Sequence, residues 1–125
     1  MRPIPDRLKR DMETDPFYQR CCLTGKRAGV VRIEWHHNLI FAGRQVNEKF
    51  CILPLSKPMH AKANKVQVRE LLDWVMVNRA TDEELIRFSK VINWVQRKKY
   101  LNGKYTTWTP DWYDTIGDSD SDFDM

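Results

Sequence analysis

The segment CILPLSKPMH, residues 51–60, cannot be a single element. Its first half is a short apolar run, and Pro54 lacks the N–H that a continuing helix or central strand would use, so the reading is a short strand stopped at Pro54. Its second half opens a helix. Ser56 offers a side-chain oxygen to the free N–H groups of a first turn, and Pro58 fits inside that turn, where no intrahelical bond is lost. A strand therefore has to give way to a helix within a few residues.

Upstream, VVRIEWHH (residues 30–37) is β-branched and aromatic and reads as a strand that ends at the histidines. LTGKRAG before it has turn chemistry, with Gly25 and Gly29 as hinge points. Between the two strands, AGRQVNEKF reads as a polar loop. Near the N-terminus, residues 6–13 read as a short helix. Beyond residue 65, Val68, Leu71, Leu72, Val75 and Met76 form one apolar stripe at helical spacing. A second helix starts at TDEE, a capping box of Thr81 and Glu84, with Leu85, Phe88, Ile92 and Val95 as its stripe. These stripes are read as core or partner surface. The fold class is α+β: one domain over residues 1–110, with helices flanking the strand–loop–strand–helix segment, and an acidic, disordered tail over 111–125 whose Trp112 and Tyr113, with Trp108 just before it, dock on the body.

Charge narrows the partner. The last fifteen residues hold six aspartates and no Lys or Arg, so the first 110 carry 21 basic residues against 11 acidic ones, a net of +10. A body that basic favours a polyanion such as nucleic acid. No apolar run approaches the roughly 18 residues of a membrane span, and the N-terminal stretch lacks the apolar core of a secretory signal. Three cysteines, Cys21, Cys22 and Cys51, make an odd count without framework spacing, which fits a reducing compartment. A cytoplasmic protein with no membrane partner is expected.

All three histidines of the chain, His36, His37 and His60, fall in the strand–loop–strand–helix segment, and Asn64 follows His60 by four residues. On a helix that spacing would aim His60 and Asn64 at one site. Adjacent His36 and His37 on a strand point to opposite faces. HH, a loop with Asn, then LPLSKPMH and an Asn four residues later resemble the ββα-metal finger of HNH endonucleases, over about residues 21–66, with a helical part over about 66–102. The polar loop before LPL is similar to the phage-type branch of that family.

The resemblance implies a β-hairpin and helix gripping one divalent cation, and hydrolysis of phosphodiester bonds in DNA, in phage or prophage DNA processing. It implies His36, His60 and Asn64 as metal ligands, His37 as general base, and Asn47 as the residue that brace the loop between the strands. An imidazole with pKa ~6.5 can take a proton from water at neutral pH. Imidazole ligands suit Zn²⁺, Ni²⁺ or Mn²⁺, while Mg²⁺ prefers more oxygen. The paired cysteines that hold a structural zinc in many members are not matched here, which leaves the segment to rest on packing by Trp35, Phe41, Phe50 and Leu53. Arg32, Arg44, Lys57, Lys62 and Lys65 are expected to neutralise phosphates without reading bases, giving little sequence specificity. One finger cuts one strand per encounter, so a double-strand cut would take a homodimer or two visits. The competing reading is a non-catalytic nucleic-acid-binding module in which Cys21 or Cys22 joins His36 and His60 around a structural zinc.

Overall fold

The computed structural model describes residues 3–105; the docking expected of Trp108, Trp112 and Tyr113 and the tail expected over 111–125 lie outside the described residues. The chain opens with α1 (Asp6–Glu13), where Asp6 supplies negative charge to the first turn. A single tight turn at Pro16–Gln19 follows, capped by the Asp15 carboxylate, which accepts from the Phe17 amide. Gly25 and Gly29 take φ of 76° and 97°, left-handed values that the turn reading of LTGKRAG requires and that glycine adopts without penalty.

Two strands, β1 (Ile33–His37) and β4 (Ile52–Ser56), pair antiparallel, with His36 opposite Leu53 and His37 opposite Ile52. The fourteen residues between them are not one polar loop. They contain a minimal hairpin, β2 (Ile40–Phe41) and β3 (Arg44–Gln45), turned by Ala42 and Gly43, both at positive φ. That is the turn chemistry a two-residue hairpin requires, and Ala42 takes it at a cost of about 1 kcal/mol.

Pro54 does not stop β4 but sits in its middle, opposite Trp35. The reason is directional. The Pro54 carbonyl accepts the Cys22 amide at 2.9 Å, on the side away from β1. In an antiparallel strand a residue's N and O point to the same side, so the missing N–H removes no ladder bond. The strand continues to Ser56, whose hydroxyl accepts from the Met59 amide and caps α2 (Lys57–Ala61), with Pro58 in the first turn. Such a cap contributes about 1 kcal/mol.

α3 (Val66–Arg79) buries Val68, Leu72, Val75, Met76 and Val77. The single helix expected from Thr81 onward is two: α4 (Asp82–Arg87) and α5 (Trp94–Lys104). The capping box forms as read, with Glu84 N donating to Thr81 Oγ1 and Thr81 N to Glu84 Oε1. The break is set by Ser89, which donates its hydroxyl to the Leu85 carbonyl and accepts the Trp94 amide, and by Asn93, which caps α5. Val91 is 95% exposed and Ile92 46%, so Leu85, Phe88, Ile92 and Val95 do not share one buried stripe. α5 folds back on α3, where Asn102 accepts from Trp74 Nε1 and exchanges amide hydrogen bonds with Asn78.

A single hydrophobic cluster joins these parts, running from Met12 through Phe50, Leu53 and Leu55 to Leu72, Met76, Leu85 and Leu101, with Trp35 and Phe41 packed on its edge. The Tyr18 hydroxyl lies 2.7 Å from both the Lys49 and the Ile52 carbonyls and ties the N-terminal segment to the start of β4. Among the described residues no helix is long and apolar enough to cross a membrane.

Candidate functional site

Side chains alternate along β1, so Glu34 and His36 share one face and Trp35 and His37 the other. α2 leaves β4 and folds over the first face. There His60 Nδ1 and Glu34 Oε1 are 2.8 Å apart, and the His36 and His60 rings meet edge to face with centres 5.2 Å apart. An ionised carboxylate only accepts, so Nδ1 carries a proton, and in the neutral ring the lone pair of His60 is on Nε2. The hydrogen bond from His60 lowers the Glu34 carboxyl below its ordinary range, which keeps it an acceptor.

His36 Nε2 lies 3.3 Å from Asn38 Oδ1. The Asn38 amide nitrogen donates to Asp73 Oδ1 at 3.1 Å, and Arg97 approaches the other Asp73 oxygen at 3.5 Å. Burial, reinforced by the neighbouring His60, pushes the His36 imidazolium down to about 4, so the ring is neutral at neutral pH. Burial also raises the Asp73 carboxyl, against the lowering effect of Asn38 and Arg97.

On the other face His37 is buried, 8% exposed. Its Nε2 is 2.8 Å from Asn47 Oδ1, and Asn47 Nδ2 donates to the Pro3 carbonyl at 2.8 Å. A carbonyl can only accept, so the Asn47 oxygen is the atom that faces His37, and His37 Nε2 is the donor. Its Nδ1 is buried and has no hydrogen-bond partner among the described residues. Leaving a buried acceptor unpaired costs about 1–3 kcal/mol.

The three histidines line one cavity of about 530 Å³, together with Asn38, Asn64, Arg69, Asp73 and Trp94. A second cavity of about 590 Å³ holds no histidine; it lies against the β2–β3 hairpin and is lined by Arg44, Asn47 and Phe88 among others.

His36, His37, His60 and Asn64 are thus brought together, but Asn64 arrives by a different route from the one expected. α2 ends at Ala61, and residues 62–65 form a turn in which Ala63 N bonds to His60 O. His60 and Asn64 do not share a helix face, and Asn64 is an exposed residue at the cavity rim. Asn47 bonds the His37 ring and the Pro3 carbonyl. Of the five basic residues expected at phosphates, none lines the histidine cavity: Arg32 lies just before β1 and pairs with Glu34 at 3.5 Å, Arg44 lines the other cavity, and Lys57, Lys62 and Lys65 lie on and beyond α2.

Sequence reasoning missed Glu34, Asn38, Arg69 and Asp73. For two of them the signal was present: Glu34, His36 and Asn38 are polar residues at strict two-residue spacing, the mark of a single strand face. Arg69 and Asp73 are four apart on α3 and share its cavity face, but nothing local in sequence points that face at β1.

Two imidazoles that share one ion through metal–nitrogen bonds of ~2.1 Å have ring centres about 5 Å apart, and His36 and His60 match that spacing at 5.2 Å. Both offer a ring nitrogen without a proton, as a ligand must. Among the described residues no three His, Cys, Asp or Glu side chains stand together as a metal group. Two imidazoles and an amide around one ion would make an open site and not a closed one. A closed site joining Cys21 or Cys22 to His36 and His60 is not assembled; all three cysteines are buried free thiols. No protein-family model, curated protein or solved structure matches the chain.

Proposed function

We propose that the protein is a divalent-metal-dependent DNA endonuclease, with the β1–β4–α2 unit acting as the ββα-metal finger that its sequence resembles. The observation that carries this reading is the set of three committed imidazoles around one cavity. Each has one ring nitrogen engaged by a side-chain oxygen and one left over, two of them at the spacing of shared ligands and the third an orphaned buried base.

His36 and His60 would hold the ion, with Asn64 at the rim. When bound, the ion supplies electrostatic stabilisation of the phosphate and the leaving 3′-oxygen. Glu34 keeps the His60 ring in place and in the right tautomer, a role that outer-sphere carboxylates commonly fill. His37 Nδ1 takes the proton of the attacking water, while Asn47 holds its Nε2–H and so prevents the ring from presenting its protonated nitrogen instead. Arg69, at the mouth of the same cavity, supplies positive charge for the phosphate. The basic body of the chain brings a polyanion to that mouth.

The test is nicking of supercoiled plasmid by the full chain, titrated across Mg²⁺, Mn²⁺, Zn²⁺ and Ni²⁺, with His37→Ala beside the wild type. Metal-dependent nicking that His37→Ala lowers by ~10²–10⁴-fold is the expected result. Tight, salt-sensitive DNA binding with no cleavage under any ion would replace this reading with that of a binding module.

A further inference from the structure

The Asn38 amide is held at both ends, and this fixes more than its own position. Its Nδ2 faces two acceptors, Asp73 Oδ1 at 3.1 Å and Met76 Sδ at 3.5 Å, so its Oδ1 is the atom turned toward His36. An amide oxygen accepts and does not donate, so His36 Nε2 carries the proton. A neutral imidazole has one N–H, which leaves its lone pair on Nδ1. Asp73 in turn is held between Arg97 of α5 and the charge of Arg69 one turn earlier on α3.

We infer that Asp73 is a positioning residue for the metal site. Acting through Asn38, it commits His36 to bind the ion through Nδ1 and ties ion affinity to the packing of α3 against α5. This rests on the metal-site reading above, but its central claim, the tautomer of His36, concerns the protein without any ion. With the Asp73 carboxylate removed, the Asn38 amide is free to rotate by half a turn and offer its N–H₂ to His36 Nε2. The imidazole proton then moves to Nδ1 and blocks the ligand atom. Because the relay needs an acceptor at position 73 rather than a charge, an amide there can still serve through its oxygen.

The experiment pairs long-range ¹H–¹⁵N spectra of the histidine rings in ion-free full-length protein with calorimetric titration of Zn²⁺ alone, for wild type, Asp73→Leu, Asp73→Asn and Asn38→Ala. The wild type should show His36 as the Nε2–H tautomer. Asp73→Leu should give a mixed tautomer and a ~10–100-fold weaker Zn²⁺ affinity, the range for lost outer-sphere partners. Asp73→Asn should recover most of both, a rescue that a purely structural role for the charge would not produce. Asn38→Ala should reproduce the leucine variant and serves in its place if that one does not fold. A wild-type His36 protonated on Nδ1 overturns the proposal, as do variants that keep both tautomer and affinity. If those variants are unaltered while the wild type still nicks plasmid with metal, only the relay is lost. A wild type that binds no ion removes the metal-site reading as well.

Discussion

The two faces of β1 hold their histidines by opposite electrical means. On one face His60 is backed directly by the Glu34 carboxylate, and His36 is backed by Asn38 with the Asp73 carboxylate behind it. On the other, His37 is backed only by neutral groups, the Asn47 amide and the Pro3 carbonyl. A carboxylate behind an imidazole favours a bound cation at the ring, while burial keeps the His36 ring itself neutral. An amide fixes the tautomer without adding charge. On the proposed reading the same residue type serves two tasks according to what stands behind it, and the alternation of a strand keeps the two surroundings apart.

The largest break in that comparison comes from the rings themselves. His36→Ala and His60→Ala should each remove measurable Zn²⁺ binding and plasmid nicking together, whereas His37→Ala should remove nicking and leave Zn²⁺ affinity within a few-fold. If His37→Ala abolished ion binding in a protein with unchanged circular dichroism, the division of labour between the faces would be wrong.

A smaller effect is expected from the groups behind the rings. Glu34→Gln keeps an acceptor for His60 Nδ1 but loses the charge, and should weaken Zn²⁺ binding by about 10-fold. Asn47→Ala leaves His37 Nε2 without its partner and should lower the nicking rate by about 10-fold with Zn²⁺ affinity unchanged. Calorimetry and single-turnover nicking on both variants read the two quantities separately. Should each variant shift both quantities equally, the two faces act as one site.

The histidine-bearing half was largely legible in the sequence because its signals are local. The strand ending at His37, the Ser56 cap and Pro58 in the first turn each follow from a few adjacent residues and appear as expected. Reading Pro54 as a stop failed because proline breaks a strand only where its nitrogen faces a partner, and which side it faces depends on register. Reading His60 and Asn64 as one helix face failed because α2 spans only Lys57–Ala61. Glu34 and Asn38 were legible from period alone. Asp73 and Arg69 were not, since α3 reaches the site through the bond from Asn38, just past β1, to Asp73, a contact between residues more than thirty apart in sequence.

The helical half holds the smallest prediction, and it concerns the α4–α5 boundary, which no glycine or proline announces. Ser89 ends α4 by returning its hydroxyl to the Leu85 carbonyl and starts α5 by receiving the Trp94 amide. Ser89→Ala removes both bonds at a half-buried position and should destabilise the fold by about 1–2 kcal/mol, read from the urea midpoint at unchanged slope. Because α5 carries Arg97 toward Asp73, the same change should reach the His36 face as a loss of Zn²⁺ affinity no larger than about threefold, while the His37 face, tied to Pro3 and not to α5, is left alone. A neutral Ser89→Ala would mean that Asn93 and the burial of Trp94 hold the break without it.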